Sequence, residues 1–292
     1  MSEPQFITVA GRPARVRLDG DPANPPVLLL HGITRSLEDW SAQVTRLSQR
    51  YRVIAPDLPG FGYSARKPGP ATPLALADGV AETLDALAET RACHVIGNSL
   101  GGTVAMQLLA AHPDRVGSLV LVNSAGFGSS VTPLLRLLTV PGVGRYVATH
   151  TTAAGARLME RQIFADPALA TTERIEHALA LGARPGNGAF VHELANVLGT
   201  PRGVRAPWRR TLLGAVTRHP RPTMIMWGDR DRILPARHFD AARTHFPHAR
   251  THMFAGVGHM PQIERPDEFA RLVLPFLADA TAPADTGTAG SV

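Results

Sequence analysis

Six residues, Gly97-Asn98-Ser99-Leu100-Gly101-Gly102, stand between an uninterrupted apolar run at 93–96 and an alanine- and leucine-rich helical pattern at 100–111. A strand that becomes a helix within two residues must turn sharply, and glycines two positions either side of the serine make room for that turn. The turn forces Ser99 into a strained backbone conformation and lifts its hydroxyl clear of the sheet. The start of the following helix offers positive potential where a negative oxygen would form. Asn98 is expected to hydrogen-bond beneath the turn.

The rest of the chain supplies the sheet that such a turn requires. Residues 6–9 and 14–18 read as a hairpin around Gly11. Short apolar runs at 27–30, 52–55, 93–96 and 119–122 then alternate with helical patterns at 36–48, 74–90 and 100–111. Runs without polar interruption belong to strands covered on both faces, so the sheet is predicted to be parallel and doubly wound. Ser36 and Asp39 have the spacing of a capping box. From 128 to 216 the pattern turns helical (134–138, 153–163, 172–181, 189–198), with breaks at prolines and no convincing strand. Strand–helix alternation resumes with strands at 223–227 and 250–254 and helices at 236–245 and 266–277. The predicted organisation is therefore one α/β core, 1–127 and 217–280, carrying a helical insertion at 128–216. A small, polar tail at 281–292 is expected to be disordered.

With 44% hydrophobic residues in 292, the chain can bury a substantial core. The net charge of +6 raises the question of nucleic acid. The cations are nearly all scattered arginines, with Lys67 the only lysine, and no basic run forms, so no nucleic-acid partner is expected. The lone Cys93 lies in an apolar run and is read as a buried strand residue. Residues 1–5 lack a basic segment followed by an apolar stretch, and no run is long enough to span a bilayer, so a cytoplasmic location is expected. Monomer and homodimer both remain open. No metal-ligand spacing or phosphate-binding glycine loop is present, and no cofactor is expected.

A serine hydroxyl needs a base, and twelve histidines compete. His259, in Gly256-Val257-Gly258-His259, follows the last predicted strand and so opens on the same sheet edge as Ser99. The base needs a carboxylate to fix its tautomer. Asp229 and Asp231 both follow the strand 223–227; Asp231 is preferred because it lies deeper in the loop, before Ile233, Leu234 and Pro235. Two backbone donors complete the site. Leu100 supplies one, and Ile33, in His31-Gly32-Ile33 after the strand 27–30, the other. Leu134, Leu138, Phe164 and Trp208 of the insertion, with Arg35, Asn98 and Met260, are candidate substrate contacts.

These motifs, with Asp57-Leu58-Pro59-Gly60-Phe61-Gly62 and Glu264-Arg265-Pro266, resemble the α/β-hydrolase superfamily over nearly the whole chain. The resemblance implies a helical cap over the site, where 128–216 falls, and an acid followed by three residues and then a proline, which matches Asp231 and Pro235. Asn98 and Gly126-Phe127-Gly128 look like the meta-cleavage product hydrolases, which cleave a carbon–carbon bond. The chain departs from them at Ile33-Thr34-Arg35-Ser36, where they carry a Gly-Pro-Gly-type stretch, and at Met260-Pro261-Gln262, where they carry a tryptophan close behind the histidine. Related epoxide hydrolases and haloalkane dehalogenases use aspartate where Ser99 stands. The expected activity is hydrolysis of an apolar ester, thioester or lactone through an acyl-enzyme on Ser99. The alternatives are carbon–carbon hydrolysis, acyl transfer or perhydrolysis, and a non-catalytic ligand-binding role.

Overall fold

A computed structural model describes residues 2–281; the expected disordered tail, from 282 on, lies outside the described residues. The chain opens with β1 (Gln5–Val9), β2 (Arg12–Asp19), β3 (Pro26–Leu30), α1 (Ser41–Leu47), β4 (Arg52–Pro56) and α2 (Pro73–Ala86). It continues through β5 (Cys93–Asn98), α3 (Leu100–Ala111) and β6 (Val116–Val122). Next come α4 (Pro133–Leu137), α5 (Gly144–Thr149), α6 (Ala153–Ile163), α7 (Thr172–Gly182) and α8 (Asn187–Leu198). A small hairpin, β7 (Gly199–Thr200) and β8 (Gly203–Val204), leads into α9 (Ala206–Val216). The chain closes with β9 (Thr223–Gly228), α10 (Arg237–His245), β10 (Arg250–Phe254), α11 (Pro261–Glu264) and α12 (Pro266–Thr281).

Eight strands form one sheet in the order β1-β2-β4-β3-β5-β6-β9-β10, parallel from β4 to β10, with β1 and β2 antiparallel at one edge. This is the α/β-hydrolase architecture. Successive residues of each central strand face opposite layers. Leu28, Leu30, Val95, Leu119 and Leu121 pack toward α2, α3 and α9, while Val27, Leu29, Ile96, Val120 and Val122 pack toward α1 and α12. That explains the unbroken apolar runs: both faces are covered, and each fully buried aliphatic contributes about 1.5–3 kcal/mol. Cys93 is fully buried, and burial pushes its thiol up to about 12, so it is an inert packing residue.

The register places the site. Leu30 is paired with Gly97, Asn98 with Val122, Val122 with Met226 and Gly228 with Phe254, so five parallel strands end at one sheet edge. Between β3 and β5 the winding reverses direction, which opens a crevice at that edge.

Three local expectations change. The helix expected at 36–48 is divided into a 3-10 turn, Leu37–Trp40, and α1. Ser36 does not cap it: its hydroxyl bonds Glu38 and His177, and Asp39 pairs with Arg35. The stretch 128–216 contains the β7–β8 hairpin where no strand was expected, and two further helices, α5 and α9. Among the described residues, no helix is long and apolar enough to cross a membrane.

Candidate active site

Ser99 stands at the junction of β5 and α3 with φ 57° and ψ −117°, a strained backbone for a residue with a Cβ. The flanking glycines are required by contact. A Cβ on Gly97 would lie 2.3 Å from the Gly101 carbonyl oxygen, and one on Gly101 would lie 2.1 Å from that of Leu30. Asn98 does lie beneath the turn. Its Nδ2 donates to the carbonyls of Val122 (3.1 Å) and His259 (3.0 Å), tying the serine strand to the histidine loop. Its buried Oδ1 has no partner among the described residues.

The loop after β3 brings Ile33 beside the serine: a Cβ on Gly32 would sit 3.3 Å from the Ser99 Cβ. His31 fixes this loop from below. Its Nε2 accepts the Leu58 N–H at 2.9 Å, which leaves Nδ1 to donate to the Gly32 carbonyl at 2.8 Å. Burial lowers the His31 pKa, which keeps this neutral pattern. The N–H groups of Ile33 and Leu100 donate to no other group among the described residues.

His259 and Asp231 meet. His259 Nδ1 lies 2.8 Å from Asp231 Oδ2, and both side chains are buried. The carboxylate is held on every side: Oδ1 accepts the N–H groups of Ile233 (2.8 Å) and Leu234 (2.9 Å), and Oδ2 accepts Asn123 Nδ2 (2.7 Å). Asn123, at the end of β6 with φ 43°, was not singled out from the sequence, where an asparagine after an apolar run looks like a turn residue. Asp229 points elsewhere. Its Oδ1 accepts the N–H groups of Gly256 (2.8 Å) and Val257 (3.3 Å), shaping the histidine loop through backbone amides and not through an arginine. No hydrogen bond joins Ser99 to His259, but both line one small cavity.

The helices between β6 and β9 close over this edge and are tied to it. His259 N–H donates to the Ile163 carbonyl at 2.7 Å. Glu264 accepts the N–H groups of Gly258 and of Ala165, each at 2.9 Å. Glu160 of α6, buried, takes hydrogen bonds from Arg35 and Arg174, and both arginines also reach Asp39. The Arg35 head is thus committed to Asp39 and Glu160, although its side chain lines the small cavity. Burial works to raise the Asp39 pKa, but the Arg35 charge outweighs it and holds the carboxyl low.

The other proposed contacts separate. Met260 and Asn98 line the small cavity with Ser99 and His259. Leu138 and Trp208 line a second, apolar cavity that also reaches Ser99, Ile33 and Leu100. The Trp208 Nε1 is occupied by the Leu198 carbonyl at 2.8 Å. Leu134 faces a third cavity between the inserted helices. Phe164 lines none of the three; it is fully buried with the Arg174 guanidinium over its ring.

Comparison with known proteins agrees with this geometry. The family described as "alpha/beta hydrolase fold" matches residues 25–266. The chain is 32% identical to the 2-hydroxymuconate semialdehyde hydrolase of Pseudomonas sp. strain CF600, over 97% of this chain and 99% of that one. It is also 32% identical to the dihydrolipoyllysine-residue acetyltransferase component of the acetoin cleaving system of Pseudomonas putida, over 94% of this chain and 69% of that one. Among solved structures, a meta-cleavage product hydrolase superimposes with a TM-score of 0.79 at 27% identity, covering 94% of this chain and 98% of the other. In sequence, topology and the loops gathered at the sheet edge, the chain belongs to the α/β-hydrolase family.

Proposed function

We propose that this chain is a serine hydrolase that works through an acyl-enzyme on Ser99. The observation that carries the proposal is the His259–Asp231 hydrogen bond of 2.8 Å, placed beside a strained serine and two unclaimed backbone N–H groups. Asp231 holds the proton of His259 on Nδ1, so Nε2 is left as the acceptor. Nε2 takes the Ser99 hydroxyl proton as Oγ bonds to an ester-like carbonyl carbon. The carbonyl electron pair moves onto oxygen, which the N–H groups of Ile33 and Leu100 hold. When the pair returns, the bond to the leaving group breaks and that group takes the proton from His259. Water repeats the sequence on the acyl-enzyme and frees Ser99.

The position of His259 orients the substrate. The leaving group receives its proton from Nε2, so it occupies the small cavity that His259 lines. The acyl part then extends into the apolar chamber, whose walls are largely aliphatic. An apolar acyl group on a compact leaving group fits this division. Residues 128–216 act as the cap that shields the acyl-enzyme from bulk water.

A second reading, carbon–carbon hydrolysis of a dienoate, is favoured by the named relatives and by the unpartnered Asn98 Oδ1 beside Ser99. The test is a panel of p-nitrophenyl esters, lactones and a 2-hydroxy-6-oxo-dienoate, with wild type and Ser99→Ala, plus fluorophosphonate labelling mapped by mass spectrometry. Label on Ser99 and ester turnover lost in Ser99→Ala are expected. Preferential turnover of the dienoate would select the second reading, and activity surviving in Ser99→Ala would refute the mechanism.

A further inference from the structure

We infer that Leu135 is the specificity-determining partition of the site, setting how long an acyl group the enzyme accepts; this rests on the acyl-enzyme reading above. Three cavities meet beneath the inserted helices. One is the small cavity of Ser99 and His259, one the apolar chamber, and one a larger space between α4, α5, α6 and α7. Leu135 lines all three, and no other described residue does.

Four residues are shared by the first two cavities: Ile33, Ser99, Leu135 and Ile233. Three of them belong to the proposed machinery. Ser99 is the nucleophile, Ile33 provides an oxyanion donor, and the Ile233 N–H bonds Asp231 at 2.8 Å. Leu135 alone contributes only a side chain.

The backbone that carries Leu135 is fixed independently of that side chain. Thr132, one residue before α4, donates its N–H to the Ile233 carbonyl at 3.0 Å and its hydroxyl to Gln162 Oε1 at 2.9 Å. Pro133 begins the helix, and the Leu135 N–H returns to the Thr132 carbonyl at 3.1 Å. A change at 135 therefore alters the wall and not the position of the helix. The side chain is only partly buried, because it borders empty space on several sides. Shortening it joins the apolar chamber to the space between the cap helices, where Leu138 already lines both. Enlarging it closes that route and shortens the chamber.

The experiment measures kcat/KM for p-nitrophenyl esters from acetate to dodecanoate with wild type, Leu135→Ala and Leu135→Phe. Fluorophosphonate labelling of Ser99 and thermal melts are recorded for each. Since one methylene in an apolar pocket changes discrimination by roughly tenfold or more, the ratio of long- to short-chain kcat/KM should rise on the order of tenfold in Leu135→Ala. It should fall by a similar factor in Leu135→Phe, the readout being this ratio within each enzyme and not the absolute rate on acetate. Parallel chain-length profiles in three enzymes that all label at Ser99 would overturn the role of Leu135 and leave the hydrolase reading intact. Absence of label and of ester turnover in folded wild type would overturn the hydrolase reading and this inference with it.

Discussion

Replacing Asp231 by asparagine tests the site at its most constrained atom. The isosteric side chain keeps the size of the carboxylate but carries one oxygen and one NH2 group. Two backbone donors, Ile233 N–H at 2.8 Å and Leu234 N–H at 2.9 Å, point at the Oδ1 position, so the amide oxygen must go there. The NH2 group is then driven to the Oδ2 position, where it meets Asn123 Nδ2, another donor, and His259 Nδ1. His259 can satisfy this arrangement only by accepting at Nδ1, which moves its proton to Nε2 and removes the base that faces Ser99. The wrong tautomer in a Ser-His-Asp site costs on the order of 10⁴-fold in turnover, or about 5.5 kcal/mol at 1.36 kcal/mol per factor of ten. Asp229→Asn supplies the contrast. Its oxygen can still accept from Gly256 and Val257 and touches no group that moves a proton, so a loss within about threefold is expected. The assay is steady-state kcat/KM on a p-nitrophenyl ester for both variants, with melting curves confirming the fold. An Asp231→Asn enzyme within tenfold of wild type, or an Asp229→Asn enzyme that is the more damaged, would refute the assignment.

Glu160→Ala leaves Arg35 and Arg174 buried against Asp39 alone, and breaking a buried pair from one side costs about 3–5 kcal/mol. A urea denaturation midpoint unchanged from wild type would show that the network carries no stability. Acid sensitivity follows from two buried histidines. Burial lowers His94, which lies between Ser118 and Thr281, to about 4. Burial, then Arg237, lowers His238 to about 4, against the opposing pull of Asp231. A lowered folded pKa means that the unfolded chain binds the extra proton first. Stability is therefore full above about pH 6.5 and falls as pH drops toward 4, by about 2 kcal/mol for each group at pH 5. Urea unfolding at pH 8 and pH 5 checks this; His238→Gln should flatten the slope, and equal stability at both pH values would contradict it.

How far the sequence could be read depended on the range of the interaction. The sharp strand-to-helix turn at Ser99 was legible because its constraint is local: Gly97 and Gly101 are dictated by atoms within a few residues or on the adjacent strand. The sheet was legible because burial on both faces leaves unbroken apolar runs. Asp231 was separable from Asp229 only by depth in the loop, and the structure supplies the reason, since one carboxylate faces His259 and the other faces Gly256 and Val257. Asn123 was illegible because its partner lies 108 residues away and nothing beside it marks the pairing. The partners of Arg35 were illegible in the same way. Its side chain lines the cavity, but its head is held by Asp39 nearby and by Glu160, 125 residues further on, which nothing around either residue marks. Phe164 was chosen for its size and position in the insertion; it stands in extended backbone just past the end of α6, and neither property tells which way a side chain turns there.

The contacts of the inserted helices bear on the site as well as on folding. The loop at Ile33 and the loop at His259, which the proposed mechanism needs in register, lie far apart in the chain and do not pair with each other as strands. One inserted helix touches both. Glu160 of α6 bonds Arg35, two residues from Ile33, and Ile163 at the end of the same helix accepts the His259 N–H. Those two residues lie one turn apart on a single element, so α6 ties the positions of the two loops to each other, although neither loop touches the other through the sheet.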